Sequence, residues 1–306
     1  MTRRRVLAAA VAAGIAAVLA GCASSGGDGP VELLVVSTRD GDYAIYAMNA
    51  EGDGEERLTD ESGDPATPAG LFFQIEPAWS PDGTRIAFAS KREGSFDIYA
   101  MNADGSDTVR LTSTREDDNH PSWSADGERI VFSRGAPADL WVMNTDGSDA
   151  RAILGGMPSD TQPAWSPDGT TIAFTRRAPG TSVRDLWLVR PDGSGLRRLT
   201  SLQAVSDGPD WAPDSATIAF ATNALNDQFD VYTVPIGGGQ PRRVTVTSED
   251  SFEPAWSPDG AAIAYSEEGA IYTKAVGGET SPEATQLTDP SSNDASPAWR
   301  PPQNVP

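Results

Sequence analysis

From about residue 31 onward the apolar positions come in short runs that alternate large and small side chains: Ile86-Ala87-Phe88, Ile130-Val131-Phe132, Ile172-Ala173-Phe174, Ile218-Ala219-Phe220 and Ile263-Ala264-Tyr265. A period of two predicts β-strands, and an alternation of large with small predicts strands sandwiched between neighbouring sheets. A further run follows each of them, at Ile98-Tyr99, Leu140-Trp141, Leu186-Trp187, Val231-Tyr232 and Ile271-Tyr272; in four cases an acidic residue (Asp97, Asp139, Asp185, Asp230) stands immediately before it. Then come Asp104-Gly105, Asp146-Gly147, Asp192-Gly193, Gly237-Gly238-Gly239 and Gly277-Gly278, which suit tight hairpins. The runs end in Arg110-Leu111-Thr112, Ala152-Ile153-Leu154, Arg198-Leu199-Thr200, Arg243-Val244-Thr245 and Gln286-Leu287-Thr288. No helical period competes with this pattern after residue 30.

The runs are phased by a tryptophan turn. Trp79, Trp123, Trp165, Trp211, Trp256 and Trp299 each follow Pro-x, and most precede Ser-Pro-Asp-Gly or a close variant. A period of 42 to 46 residues with short strands is the signature of propeller blades, and the tryptophans count six. The last unit is cut short after Trp299, while residues 31–60 carry the three strands it lacks: Leu33–Val36, Ile45–Met48 and Arg57–Thr59. The expected fold is therefore all-β, a six-bladed β-propeller of four-stranded antiparallel blades over 31–301. N-terminal strands pair with a C-terminal strand to close the ring and remove an exposed sheet edge.

Trp-Ser-Pro-Asp-Gly, Ile-Ala-Phe, Asp-Ile-Tyr and Arg-Leu-Thr in that order resemble the TolB-type propeller repeat, over nearly all of 31–301. The resemblance implies the propeller fold; that fold serves many roles, so it implies no one function. TolB carries an α/β domain before its propeller, and here only a short Gly/Ser-rich leader is expected, so a role with Pal is not carried over. The WD-repeat family is a poorer match, because its Gly-His and Trp-Asp marks are missing.

The chain opens with Arg3, Arg4 and Arg5, an apolar run from Val6 to Ala20, and Leu19-Ala20-Gly21-Cys22. This is the pattern of a signal peptide, residues 1–21, and it resembles a bacterial lipobox with Cys22 as the lipidated residue. A flexible linker, 22–30, and a tail, 302–306, are expected to flank the propeller. The arginines suit either general or twin-arginine export. Formal charge is −21 for the whole chain, and three units more negative once the arginines are removed. Such a surface repels nucleic acid and anionic head groups, so membrane contact is expected through the lipid anchor only.

Catalytic chemistry finds little to work with. One histidine, His120, and one cysteine, Cys22, exclude histidine-rich metal sites, cysteine zinc sites and disulfides within the chain. A Ser-His-Asp triad would need His120, which stands where other repeats have Glu76, Gln162, Gly208, Glu253 and Ser296; a position so tolerant is read as a loop position. Neither Gly-x-Ser-x-Gly nor a phosphate-binding loop occurs. The Asn-x-Asp-Gly-Ser-Asp segments at 102–107 and 144–149 are read as hairpins rather than calcium loops. The aspartate before each third strand is read as capping its own loop. The tryptophans are read as core between blades.

In a four-stranded meander the links from strand four to one and from strand two to three emerge on one face. Their residues vary from blade to blade whereas the opposite turns repeat, as a recognition surface on a rigid scaffold would. The binding-face residues are Glu76, Arg92, Asp118, His120, Asp160, Gln162, Arg176, Asp207, Glu253 and Asp294. The expected function is a monomeric, non-catalytic lipoprotein of the bacterial cell envelope that binds a protein, peptide or glycan. The alternative is a glycan-active enzyme using carboxylates at the channel mouth. No cofactor is expected beyond an optional channel-bound cation.

Overall fold

The computed structural model describes residues 32–59, 73–156, 158–224, 227–277 and 283–302. The signal peptide, Cys22, the linker and all but the first residue of the tail lie outside the described residues. Blade 1 consists of β1 (Leu33–Ser37), β2 (Ala44–Met48) and β3 (Glu56–Arg57), joined at its inner side by β24 (Asp294–Trp299). Blade 2 is β4 (Gln74–Trp79), β5 (Arg85–Ser90), β6 (Asp97–Asn102) and β7 (Val109–Arg110). Blades 3 and 4 follow in the same order: β8 (Asp118–Trp123), β9 (Arg129–Arg134), β10 (Asp139–Asn144), β11 (Arg151–Leu154); then β12 (Asp160–Trp165), β13 (Ile172–Arg177), β14 (Arg184–Val189), β15 (Arg197–Arg198). Blade 5 is β16 (Ser206–Trp211), β17 (Thr217–Thr222), β18 (Asp230–Pro235) and β19 (Arg242–Arg243); blade 6 is β20 (Ser251–Trp256), β21 (Ala262–Glu267), β22 (Ala270–Ala275) and β23 (Thr285–Gln286). All six sheets are antiparallel, and Leu33 pairs with Trp299 across the split blade.

The Ile-Ala-Phe alternation explains how blades stack. Ile86 and Phe88 of blade 2 are fully buried against Leu34, Ile45 and Ala47 of blade 1. From the other face of the same strand Ala87 and Ala89 receive Ile130 and Phe132 of blade 3. Large side chains thus fill the space that small ones leave, and truncating one buried phenylalanine to alanine costs about 3–5 kcal/mol. Tryptophan clamps the seams: the indole N–H of Trp79, Trp123 and Trp211 donates to the carbonyls of Ala298, Ala78 and Ala164 in the preceding blade at 3.2, 3.1 and 2.9 Å.

Two repeated turns are held by short-range bonds. In Trp-Ser-Pro-Asp-Gly the Ser80 hydroxyl donates to Asp82 (2.6 Å) and accepts from the Arg85 N–H (2.9 Å), and Asp82 also takes the Thr84 N–H. The Asp-Gly hairpins are fixed by crowding: Gly105 has φ +81° and a Cβ there would lie 2.4 Å from the Leu58 carbonyl of the preceding blade, with the same approach of Gly147 to Leu111. Only glycine fits.

The aspartate before the third strand does not cap its own loop, as the sequence suggested. Asp97 faces Arg110 of the fourth strand at 2.7 Å, and Asp185 and Asp230 face Arg198 and Arg243. The threonine two residues on accepts the third-strand N–H, Thr112 from Ile98 and Thr200 from Leu186, each at 2.9 Å. The arginine Nε closes the turn on the threonine carbonyl. Asp-Ile-Tyr and Arg-Leu-Thr are two halves of one polar lock.

Candidate functional site

The six inner strands enclose a central channel with a volume of about 700 Å³, lined by the Pro-x-Trp segments and the residue before each proline. That preceding residue departs from strand geometry in every blade. Glu76, His120, Gln162, Gly208, Glu253 and Ser296 all have φ between +50° and +61°, and the ladder to the second strand skips there, from Ile75 to Ala78 in blade 2 and alike in the others. Proline disfavours the right-handed helical region for the residue before it, and the resulting bulge turns that residue toward the channel. His120 is thus a bulged residue within β8 on the channel wall, a correction to its reading as a loop position.

Neighbouring members of this ring are tied in alternate pairs. Glu76 accepts the His120 N–H at 2.6 Å and its other oxygen lies 2.9 Å from His120 Nε2. Gln162 accepts the Gly208 N–H at 3.2 Å, and Glu253 accepts the Ser296 N–H at 2.8 Å and its hydroxyl at 3.1 Å. These bonds bridge blades 2–3, 4–5 and 6–1. Two residues deeper the pairing shifts by one blade: the Ser122 hydroxyl accepts the Trp165 N–H at 3.0 Å and Asp210 accepts the Trp256 N–H at 2.7 Å, bridging 3–4 and 5–6. The remaining seam, 1–2, is held by Arg300, which donates to the Gly83 carbonyl (2.6 Å) and lies over the Trp79 ring.

The mouth is electrically uneven. Burial would lower the His120 pKa, but Glu76, with Asp207 and Glu253 further off, outweighs it and the pKa rises. Asp207 is pushed up by burial, against the pull of Arg184, its ion-pair partner at 3.0 Å, and of His120. Among the described residues Glu253 is bonded only to hydroxyls and a backbone N–H. Asp210 occupies the position held by Ala78, Ser122, Ala164, Ala255 and Ala298 elsewhere; burial raises its pKa to about 7, against the backbone N–H bonds from Trp256 and Trp211. Glu253 and Asp210 are therefore two carboxylates in the sector of blades 5 and 6 with no ion pair among the described residues. No group of three or more His, Cys, Asp or Glu among the described residues is placed to hold a metal ion.

The other expected binding residues lie elsewhere. Asp118, Asp160 and Asp294 are almost wholly buried, each in a two-pronged pair with an arginine: Arg134 (2.7 and 2.8 Å), Arg176 (2.6 and 2.7 Å) and Arg39 (3.0 and 2.9 Å). These arginines also cover aromatic rings, Arg134 over Trp141 at 4.5 Å and Arg176 over Trp187 at 4.9 Å. Placing them on a solvent-facing surface is corrected: they are struts at the top of blades 3, 4 and 1, because the strand ladder sets each aspartate opposite the second strand's end. Arg92 lies over Tyr99 in blade 2. The composition of the sequence hid Asp210, which reads there as one more variant of a small position; its mismatch with five small residues was the available signal.

A family model described as the TolB beta propeller domain matches residues 25–136, 69–183 and 159–305. The chain is 34% identical over 94 residues to the uncharacterized protein Atu1656 of Agrobacterium fabrum, covering 31% of this chain and 29% of that protein. It is 29% identical over 90 residues to the Tol-Pal system protein TolB of Geobacter sulfurreducens, covering 29% and 18%. These alignments thus span less than a third of either relative. The crystal structure of TolB from Acinetobacter baumannii superposes with a TM-score of 0.73 at 20% identity, over 89% of this chain and 67% of that one.

Proposed function

We propose, from the premise that this chain belongs to the TolB beta propeller domain family, that it is a non-catalytic binding protein of the cell envelope. It is held there by lipid on Cys22 and recognises a basic group of a protein or peptide partner at the channel mouth. One observation carries this reading: six repeats hold one strained backbone position in common and place five residue types on it, Glu76 and Glu253, His120, Gln162, Gly208 and Ser296. A scaffold that fixes geometry and varies chemistry around a channel serves recognition. The charge follows from Glu253 and, above its pKa of about 7, Asp210, carboxylates that focus negative potential outward beside a low-dielectric wall.

The test is capture of the partner from cross-linked envelopes by the purified protein and by two variants that melt like it. Glu253→Gln with Asp207→Asn should weaken capture, and capture by the parent should fall as salt rises. Asp104→Asn with Asp146→Asn on the opposite face should leave it unchanged. Because protonated His120 adds positive charge to the mouth and Asp210 gains its negative charge through a pKa of about 7, capture should strengthen as pH rises through both; His120→Gln should make that profile shallower, and His120→Gln with Asp210→Asn should flatten it. The reading fails if the opposite-face variant alone loses capture; turnover of envelope glycans by the purified protein, lost with Glu253→Gln, would replace it with the enzymatic one. Fractionation of Cys22→Ala tests the anchor separately: the protein should leave the membrane for the soluble exported fraction.

A further inference from the structure

The repeats act as internal controls for one another, and blade 2 keeps an arginine whose carboxylate partner is present in blades 1, 3 and 4. In blade 1, Arg39 donates through Nε to the Ser37 hydroxyl at 2.9 Å and through Nη2 to both oxygens of Asp294; it also reaches Glu55, and covers the Tyr46 ring at 4.6 Å. The Tyr46 hydroxyl donates to Asp40. Blade 2 repeats the frame: Arg92 donates through Nε to the Ser90 hydroxyl at 3.1 Å and covers the Tyr99 ring at 4.6 Å. The acceptors are gone. Gln74 stands in the place of Asp294 and Thr108 in that of Glu55, while Glu93, the counterpart of Asp40, is engaged by Arg110. Arg92 consequently has no ion pair among the described residues, whereas Arg134 and Arg176 in blades 3 and 4 have theirs.

Two buried polar groups beside it are also without partners among the described residues: the hydroxyl of Tyr99, 3% exposed, and Oε1 of Gln74, 1% exposed. Burial, with Glu93, pushes the Tyr99 pKa to about 12, so the hydroxyl remains a donor. The Gln74 amide presents an N–H or a carbonyl by a half-turn. A buried polar atom left unbonded is destabilising, and a ligand that bonds it removes that cost.

We propose that Arg92, Gln74 and Tyr99 form an anion site at the top of the seam between blades 1 and 2 that takes the C-terminal carboxylate of a peptide. A carboxylate is the group that fills the same guanidinium fork in blades 1, 3 and 4. The whole chain's charge of −21 disfavours polyanions and leaves a single negative chain end as the fitting form. A place for the terminal side chain adjoins it: Tyr43, 40% exposed, stacks on Phe73 at 4.9 Å, and backbone bonds tie this pair to the site, Gln74 N–H to Tyr43 and Lys91 N–H to Phe73. The site is separate from the channel ring, so it stands or falls independently of the function proposed above.

The experiment uses the propeller with N-acetyl-phenylalanine and its amide as probes, read by titration calorimetry or NMR shifts, with inorganic phosphate as a competitor. The acid should bind saturably and the amide about tenfold or more weaker, and Arg92→Gln should lose about the same factor. Arg177→Gln, an exposed arginine elsewhere on that face, should bind as the parent does. Gln74→Asp supplies the carboxylate that blades 1, 3 and 4 carry, so it should abolish binding of the acid and raise the melting temperature. The proposal is overturned if neither probe binds, if the amide binds as well as the acid, or if phosphate binds more tightly than the acid. Unchanged binding in Arg92→Gln or in Gln74→Asp overturns it as well.

Discussion

Asp210 shows how a single side chain departs from a repeat. Five blades put alanine or serine at this point of the channel wall; the sixth buries a carboxylate whose pKa rises to about 7, from an ordinary value of 3.8. Below about pH 4 the group is protonated in folded and unfolded chains alike and does not affect their balance. Between about pH 4 and 7 the unfolded chain releases the proton while the folded one retains it, so stability falls as pH rises, and it levels off above 7. Over roughly three pH units the loss is of the order of 2–4 kcal/mol, moderated by water in the channel. Asp210→Asn keeps an acceptor for the Trp256 N–H and removes the charge. Its melting temperature should match the parent near pH 4 and exceed it at pH 8; equal pH profiles would contradict the burial of a charge here. The sequence made the ring position legible as one that varies, but not that it lines the channel. The left-handed backbone at Glu76 and its counterparts arises from a bulge before proline, and a lone Pro-x-Trp does not announce a bulge.

At the scale of the element, strand order, hairpins and the apolar alternation could all be read from the sequence, because each depends on near neighbours in the chain. The polar lock could not, because Asp97 and Arg110 look like separate motifs until the third and fourth strands are laid side by side. Blade 3 keeps the aspartate without the arginine and so tests this lock. Ala152 pairs with Trp141 as Arg110 pairs with Tyr99, so no fourth-strand arginine meets Asp139, and one oxygen of that carboxylate is buried without a partner among the described residues. Ala152→Arg should supply the missing donor and stabilise the protein by about 1 kcal/mol, a gain set by a hydrogen-bonded ion pair near the surface. Thermal melts measure it. The same substitution with Asp139→Asn should lose most of the gain, and equal gains in both backgrounds would show that the arginine acts by something other than the lock.

At the scale of the whole molecule the question is what closes the ring. The truncated sixth repeat and the three orphan strands at the start made closure legible, and the pairing of β1 with β24 confirms it. What the sequence did not disclose is how many separate ties cross this seam. Ser37 donates to the Ser292 carbonyl, Asn293 to Thr38, Arg39 pairs with Asp294, and Arg300 reaches on past its own blade to Gly83 of blade 2. Glu253 meanwhile bonds Ser296 from the other side. Residues 255 apart in the chain are thus joined by four side-chain hydrogen bonds among the described residues, and none of these forms until both ends are in place. Deleting residues 296–306 removes most of β24, uncovers the inner edge of β1, and strips Trp79 of both the Ala298 carbonyl and the Arg300 guanidinium. Stability should fall by several kcal/mol, as for other losses of core packing, with the protein losing its sharp melt or melting far lower. Arg300→Ala alone removes the tie to blade 2 while leaving β24 paired, and should cost about 1–3 kcal/mol for the charged hydrogen bonds to Gly83 and the stacking on Trp79. If the deletion and Arg300→Ala lower the melting temperature equally, closure rests on that one arginine and the pairing of β24 with β1 contributes nothing of its own; a much larger drop for the deletion assigns the closure to the strand.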